Sequence, residues 1–194
     1  NWDVSGTVGY YDIKEEVGDP PYTLFPAGAF GGAFPDGVIG NAGHSERHTY
    51  ANVSAFYTGF ARHRLRMGTG FRIEDLYQVS EFKNFTLVNV PGVGPVFMPL
   101  GGIVNASDNP GLVFMQPHKR RLSYLFAQDE WSLANDWTLT AGVREDEDAE
   151  VGGTSNPRVA LVWDAAYNLV IKALHGRAFR APMFAELYSS NVPV

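Results

Sequence analysis

YLFAQDEWSLANDWTLTAGVRED, residues 124–146, and NPRVALVWDAAYNLVIKALHGRAFRAP, residues 156–182, decide the fold. Trp137, Leu139, Ala141 and Val143 fall on one parity, and Thr138, Thr140, Gly142 and Arg144 on the other. Val159, Leu161 and Trp163 stand against Arg158, Ala160 and Val162, and more loosely Leu169, Ile171 and Ala173 against Lys172. A period of two sustained in this way predicts strands with one apolar face. The polar breaks Ala134-Asn135-Asp136 and Ala165-Ala166-Tyr167-Asn168 are short enough for tight hairpin turns. The predicted class is all-β, an antiparallel meander.

Working outward, residues Trp2 to Val17 alternate in the same way, with Trp2, Val4, Val8 and Tyr10 opposing Asp3, Ser5, Thr7 and Gly9. A strand is predicted from His48 to Gly59 and another from His63 to about Tyr77, separated by a break near Phe60-Ala61-Arg62. In the second of these, Leu65, Met67, Thr69, Phe71 and Ile73 face one way, and Arg64, Arg66, Gly68, Gly70, Arg72 and Glu74 the other. The stretch from about Gly18 to Arg47 carries Pro20, Pro21, Pro26 and Pro35 and is expected to be irregular, as is Gln78 to Arg120. About seven strands result, with every second connection short and the others long.

In a soluble sandwich, loops above about 12–15 residues are uncommon and have no reason to gather at one end. Outer-membrane barrels have short periplasmic turns and long extracellular loops. The strand faces agree, since one is apolar and aromatic and the other carries Arg, Thr, Gly, Ser and Asn. The expectation is therefore part of a large transmembrane β-barrel. An open sheet leaves backbone groups unsatisfied in lipid, so further strands are required. The chain starts at Asn1 without a Met or signal peptide and is read, over 1–194, as part of a longer polypeptide.

Composition narrows the alternatives. Charged residues make up 19%, below the roughly 25% usual for soluble domains. The net charge of -6 argues against a nucleic-acid partner, whose footprint is normally basic. Cysteine is absent, which removes disulfides and thiolate metal sites. No run of about 18 apolar residues encodes a transmembrane helix, but barrel strands need none. No GxSxG, HExxH or P-loop occurs and no Ser, His and Asp are brought together, so no enzyme and no cofactor is expected.

Four pieces resemble the mid-barrel portion of TonB-dependent outer-membrane receptors. They are Ala127-Gln128-Asp129-Glu130-Trp131, the strand 137–144, Asn156-Pro157-Arg158, and Gly176-Arg177-Ala178-Phe179-Arg180-Ala181-Pro182 leading to Glu186-Leu187-Tyr188. Residues 57–77 resemble the family more weakly. The resemblance implies a barrel of about 22 strands closed by an N-terminal plug domain. It also implies a Gram-negative outer-membrane location, capture of a small molecule such as a ferric siderophore, and energy delivered by the TonB complex through the plug segment. Neither the plug nor the remaining strands are in this chain. In the strand LVIKALHG, Val170 and Leu174 occupy a parity usually polar in the family, and His175 one often aromatic; the faces of that strand and of 124–133 stay open. The competing readings are a passive porin-like or structural outer-membrane barrel, and a soluble β-sandwich binding module.

Several residues stand out. Trp131, Trp137 and Trp163 lie beside short turns, where an aromatic girdle would sit at the periplasmic interface. Arg66, Arg72, Arg144, Arg158 and Lys172 share the lumen-facing parity. They would meet plug carboxylates or an anionic chelate, or else pair with Glu74, Asp146 and Asp164 within the wall. Glu145, Asp146, Glu147, Asp148 and Glu150 crowd what reads as a loop tip, but their spacing matches no calcium loop. His44 and His48 are about 13 Å apart on an extended chain, too far for one ion. Some haem receptors of the family this chain resembles carry a FRAP motif followed by a histidine; here FRAP at 179–182 is followed by none before Val194, which weighs against haem. No metal site is expected.

Overall fold

The computed structural model describes residues 1–16 and 22–189. Pro20, Pro21 and the tail beyond Ser189 lie outside the described residues. Among the described residues, nine strands and one short helix follow in chain order: β1 (Trp2–Glu15), β2 (Tyr22–Phe25), β3 (Val38–Tyr57), β4 (His63–Val90), β5 (Gly94–Asn105), β6 (His118–Ser132), β7 (Trp137–Asp148), β8 (Gly152–Ala166), β9 (Leu169–Gly176) and α1 (Phe184–Tyr188). They form one sheet in the order β1-β3-β4-β6-β7-β8-β9, with β2 added to β3 and β5 to β4. This is the antiparallel meander expected, and its seven-strand path matches the strands legible from alternation.

Strands β7 and β8 pair without a register shift from Trp137↔Trp163 to Asp148↔Gly152. The turn between them is tight, and Gly152 takes the positive φ of +89° that a side chain would resist. The expected acidic loop tip is therefore corrected. Glu145 to Asp148 belong to β7, so alternation sends Glu145 and Glu147 to one face and Asp146 and Asp148 to the other.

The two long connections are also corrected. β3 begins at Val38, ten residues ahead of His48, and β4 runs for 28 residues to Val90. A bilayer needs only about 9–11 residues per strand, so β4 extends well past one crossing. Residues 94–105 return along it as β5, with Asn89↔Pro95 and Phe85↔Pro99 as rungs. Proline is tolerated there because β5 pairs only with β4, leaving its other edge without a ladder to break.

Contacts divide the chain into two compact units. One comprises Asn1–Tyr11, His48–Glu74 and Arg120–Ala181; the other comprises Asp12–Arg47, Asp75–Lys119 and Pro182–Val194. Within the second lie two apolar clusters, Phe34, Val38 and Phe85, and Leu76, Val79, Val113, Met115 and Phe184. Lys83 is buried with its ammonium 3.1 Å from Glu81, and it donates to the Leu112 carbonyl. Glu81 in turn accepts the Phe114 N–H at 2.7 Å.

The first unit is built differently. Among the described residues, none of its large apolar side chains is buried, and its buried side chains are the polar His48, Glu74, Arg120 and Asp148. Val143 is 40% exposed and Ile171 46%. A soluble sandwich would seal these residues beneath a second layer. Here an apolar face is left open, as a wall facing hydrocarbon requires.

Candidate functional site

Residues opposite one another in a ladder project to the same face. The rungs Trp131↔Leu139↔Leu161↔Ala173 and Asp129↔Ala141↔Val159↔His175 therefore define one face, which is largely apolar. Gln128↔Gly142↔Arg158↔Gly176 and Phe126↔Arg144↔Asn156 define the other. This settles the parities left open in sequence. Tyr124, Phe126, Gln128 and Glu130 share the polar face, Leu174 joins it opposite Ala160, and His175 joins the apolar face.

In β4, Gly68 and Gly70 leave the space that the rings of Phe126 and Tyr124 occupy, at 2.6 and 2.7 Å from where a Cβ would stand. Gly68 and Gly70 are thus on the polar face, and so, two residues on either side, are Arg66 and Arg72. Lys172 follows through Val162↔Lys172 and Thr138↔Val162. The five cations share one face.

Their surroundings differ. The Arg144 guanidinium lies 3.9 Å from the Tyr124 ring centroid, and its Nε donates to both Asp146 oxygens at 2.8 and 3.0 Å. Arg72 donates to Glu74 at 3.5 Å. Arg158 donates to Gln128 at 2.5 Å, across the rung that holds Gly142. Arg66 and Lys172 make no ion pair among the described residues. Asp164, offered in sequence as a partner, takes none of these cations.

Gly142→Val is expected to lose about 1–3 kcal/mol, the usual cost of overpacking. The new Cβ would stand 2.9 Å from the Ala127 carbonyl oxygen and 3.0 Å from the Gln128 Cβ. A lowered urea midpoint of the detergent-solubilised receptor is the check.

A cavity of about 340 Å³ opens in the first unit, lined among others by Tyr50, Asn52, Arg72, Tyr124, Arg144 and Phe179. Phe179 arrives there through the motif run after β9, whose Arg177 N–H is held by the Pro157 carbonyl at 3.0 Å. Arg180 and Pro182 continue the run to α1, where the Glu186 carboxylate accepts the Met183 N–H at 2.7 Å. The other motif residues bind strands to one another. Glu130 pairs with Arg64 at 2.9 Å, Asn156 donates to Asp146 at 3.1 Å, and Asp129 meets His63 at 2.6 Å.

Sequence reasoning missed a buried cluster around Arg120. Arg120 binds Glu74 through two N–H groups and lies 3.7 Å from Asp148, while His48 stands 4.0 Å from Glu74 and stacks on Tyr11. Carrying the parity of β6 back from Tyr124 to Arg120 would have revealed it. His44 sits between Glu15 and Glu46, at 3.6 and 3.4 Å. Among the described residues, no three acidic or histidine side chains gather as metal ligands.

The three tryptophans lie on the apolar face beside short turns. Trp137 stacks on Trp163 at 5.0 Å and 10°, and Trp131 on His63 at 5.2 Å and 16°. A family model described as TonB dependent receptor-like, beta-barrel, matches residues 1–193. The chain belongs to this family. A stretch of 62 residues, 32% of the chain, is 39% identical to an iron-regulated outer membrane virulence protein of Vibrio cholerae serotype O1, strain Classical Ogawa 395. The same identity and coverage hold for the protein of that name from strain El Tor Inaba N16961. The chain spans about a tenth of the length of these relatives. The meander is thus part of a TonB-dependent receptor barrel in the outer membrane of a Gram-negative bacterium. The family is one of transporters.

Proposed function

We propose that this TonB-dependent receptor segment is wall for an active transporter of ferric siderophores or similarly scarce nutrients. In this reading the cationic face lines the interior, opposite a plug domain through which the TonB complex delivers energy. The apolar face meets lipid, with Trp131, Trp137 and Trp163 as a periplasmic girdle. The observation that carries the reading is the segregation itself: Arg66, Arg72, Arg144, Arg158 and Lys172 on one side, and Leu139, Leu161 and the tryptophans on the other. Arg72 and Arg144 are occupied by Glu74 and Asp146. Arg66 and Lys172 are therefore the cations most available to a plug carboxylate or an anionic chelate. The iron-regulated name of the Vibrio relatives supports an iron cargo.

Uptake of radiolabelled ferric chelates by cells carrying the whole receptor tests this, with and without functional TonB. Uptake is expected only with TonB; transport that persists without it would favour a passive barrel. Single cysteines report the faces in a receptor cleared of any cysteine outside this chain, which itself has none. Lys172→Cys is expected to react with a charged thiol reagent in the membrane-embedded receptor, and Leu161→Cys to stay unlabelled.

A further inference from the structure

We propose that the apolar face carries, beside the short turns, a site for the phosphodiester of a membrane phospholipid, built by Arg62, His63 and Trp131. The inference rests on the reading that this face meets lipid. Asp129 shares the face with Ala141 and Val159, so its pair with His63 stands among apolar neighbours. Ionisable side chains are disfavoured at the bilayer midplane and tolerated at the head groups. The pair lies at the level of the turns, where Ser132 N–H bonds the Arg62 carbonyl at 2.8 Å.

The chemistry there is that of an anion site. Asp129 Oδ2, 2.6 Å from Nδ1, fixes the imidazole and leaves Nε2 as the ring's remaining polar atom. The Trp131 indole lies flat on that ring. Among the described residues, neither His63 Nε2 nor the Trp131 N–H has a hydrogen-bond partner. Arg62 commits Nη1 to the Leu133 carbonyl at 3.2 Å and has other N–H groups to spare. It holds a φ of +66°, a conformation uncommon for a residue other than glycine. The N–H groups of Arg62 and Trp131 are donors that suit phosphate oxygens, and of the Asp129 carboxylate beside them Oδ2 is engaged by His63 while Oδ1 is buried without a hydrogen bond.

Continuity with the lipid-facing belt selects a phospholipid over free phosphate. Trp2 leans on Tyr57 at 4.5 Å and Tyr57 meets Phe60 edge-on at 5.1 Å, in the short turn that carries Arg62, and Trp137 stacks on Trp163 beside the next turns. These rings offer an apolar surface to the glycerol and acyl chains of a lipid whose phosphate is held by the donors.

Native mass spectrometry of the whole receptor in mild detergent, with added phosphatidylethanolamine, tests the proposal. The wild type is expected to retain a bound phospholipid. Arg62→Gln, His63→Gln and Trp131→Phe are each expected to weaken retention roughly tenfold, the scale of one charge-assisted hydrogen bond. Trp131→Phe removes the N–H but keeps an aromatic ring on the face, so the measurement stands even if the other variants fold poorly. Unchanged retention in Trp131→Phe and in whichever other variants fold overturns the site, and so does displacement of the lipid by millimolar inorganic phosphate. Quenching of Trp137 and Trp163 fluorescence by lipids with brominated acyl chains separates the two levels. Without quenching, the lipid-facing reading falls, and this site with it; with quenching but unchanged retention, only the site falls.

Discussion

Arg120→Met is expected to destabilise the receptor by about 3–5 kcal/mol, the cost of breaking a buried ion pair from one side. Arg120 is 5% exposed, Glu74 8% and Asp148 1%. The guanidinium serves both carboxylates, with Nε 3.0 Å from Glu74 and Nη1 3.7 Å from Asp148. Take it away and Glu74 retains only Arg72 at 3.5 Å and His48 at 4.0 Å. Asp148 retains only the Glu150 N–H on Oδ1 at 2.9 Å, because its Oδ2 has no hydrogen bond even now. The triple variant Arg120→Met, Glu74→Gln, Asp148→Asn removes all three charges and is expected to recover most of the loss, since the penalty lies in stranded charge rather than missing attraction. Urea unfolding of the purified receptor in lipid vesicles measures both. A single variant that unfolds at the wild-type midpoint would show that the cluster is not structural.

The strands of the first unit were legible because lipid on one side and polar surroundings on the other impose strict alternation. Trp137, Leu139, Ala141 and Val143 obey it from one short turn onward. What alternation does not show is where a strand stops once it leaves the membrane. Beyond Tyr77, β4 continues through Gln78-Val79-Ser80-Glu81, where the buried positions are Val79 and Glu81 and the charge is compensated inside by Lys83. Polarity there no longer distinguishes inside from outside. Pro95 and Pro99 look like strand breakers, yet they sit on an edge strand that spares their missing N–H. The acidic run 145–150 looked like a loop tip because five carboxylates suggest water. In the structure a strand and a three-residue turn distribute them, and one is buried on Arg120. The cationic face was likewise readable by parity, but its pairings were not. Arg158 meets Gln128 two strands away, across the Gly142 rung, which only three-dimensional pairing discloses.

The second large effect concerns the end of the motif. Phe184→Ala is expected to cost about 3–5 kcal/mol in local stability, the range for removing a buried phenylalanine. α1 is one turn of five residues, far too short to persist by its own hydrogen bonds. Pro182 and Glu186 mark its start, the latter by capping Met183, a signature present in the sequence but overlooked because the helix is so short. What holds it is Phe184, 7% exposed among Leu76, Val79, Val113 and Met115, with His118 edge-on at 5.9 Å. Tyr188, one turn on, packs against His118 at 3.9 Å and so depends on the same anchor. Truncating Phe184 therefore releases the whole turn, and hydrogen exchange across residues 183–189 is expected to rise to that of an open loop. Phe179, five residues earlier, lines an open cavity, and its alanine variant is expected to cost only about 1 kcal/mol, in proportion to the apolar area it covers. Equal losses at the two positions would mean that the motif is held as one piece by its backbone; a large loss at Phe184 alone assigns its anchoring to that ring.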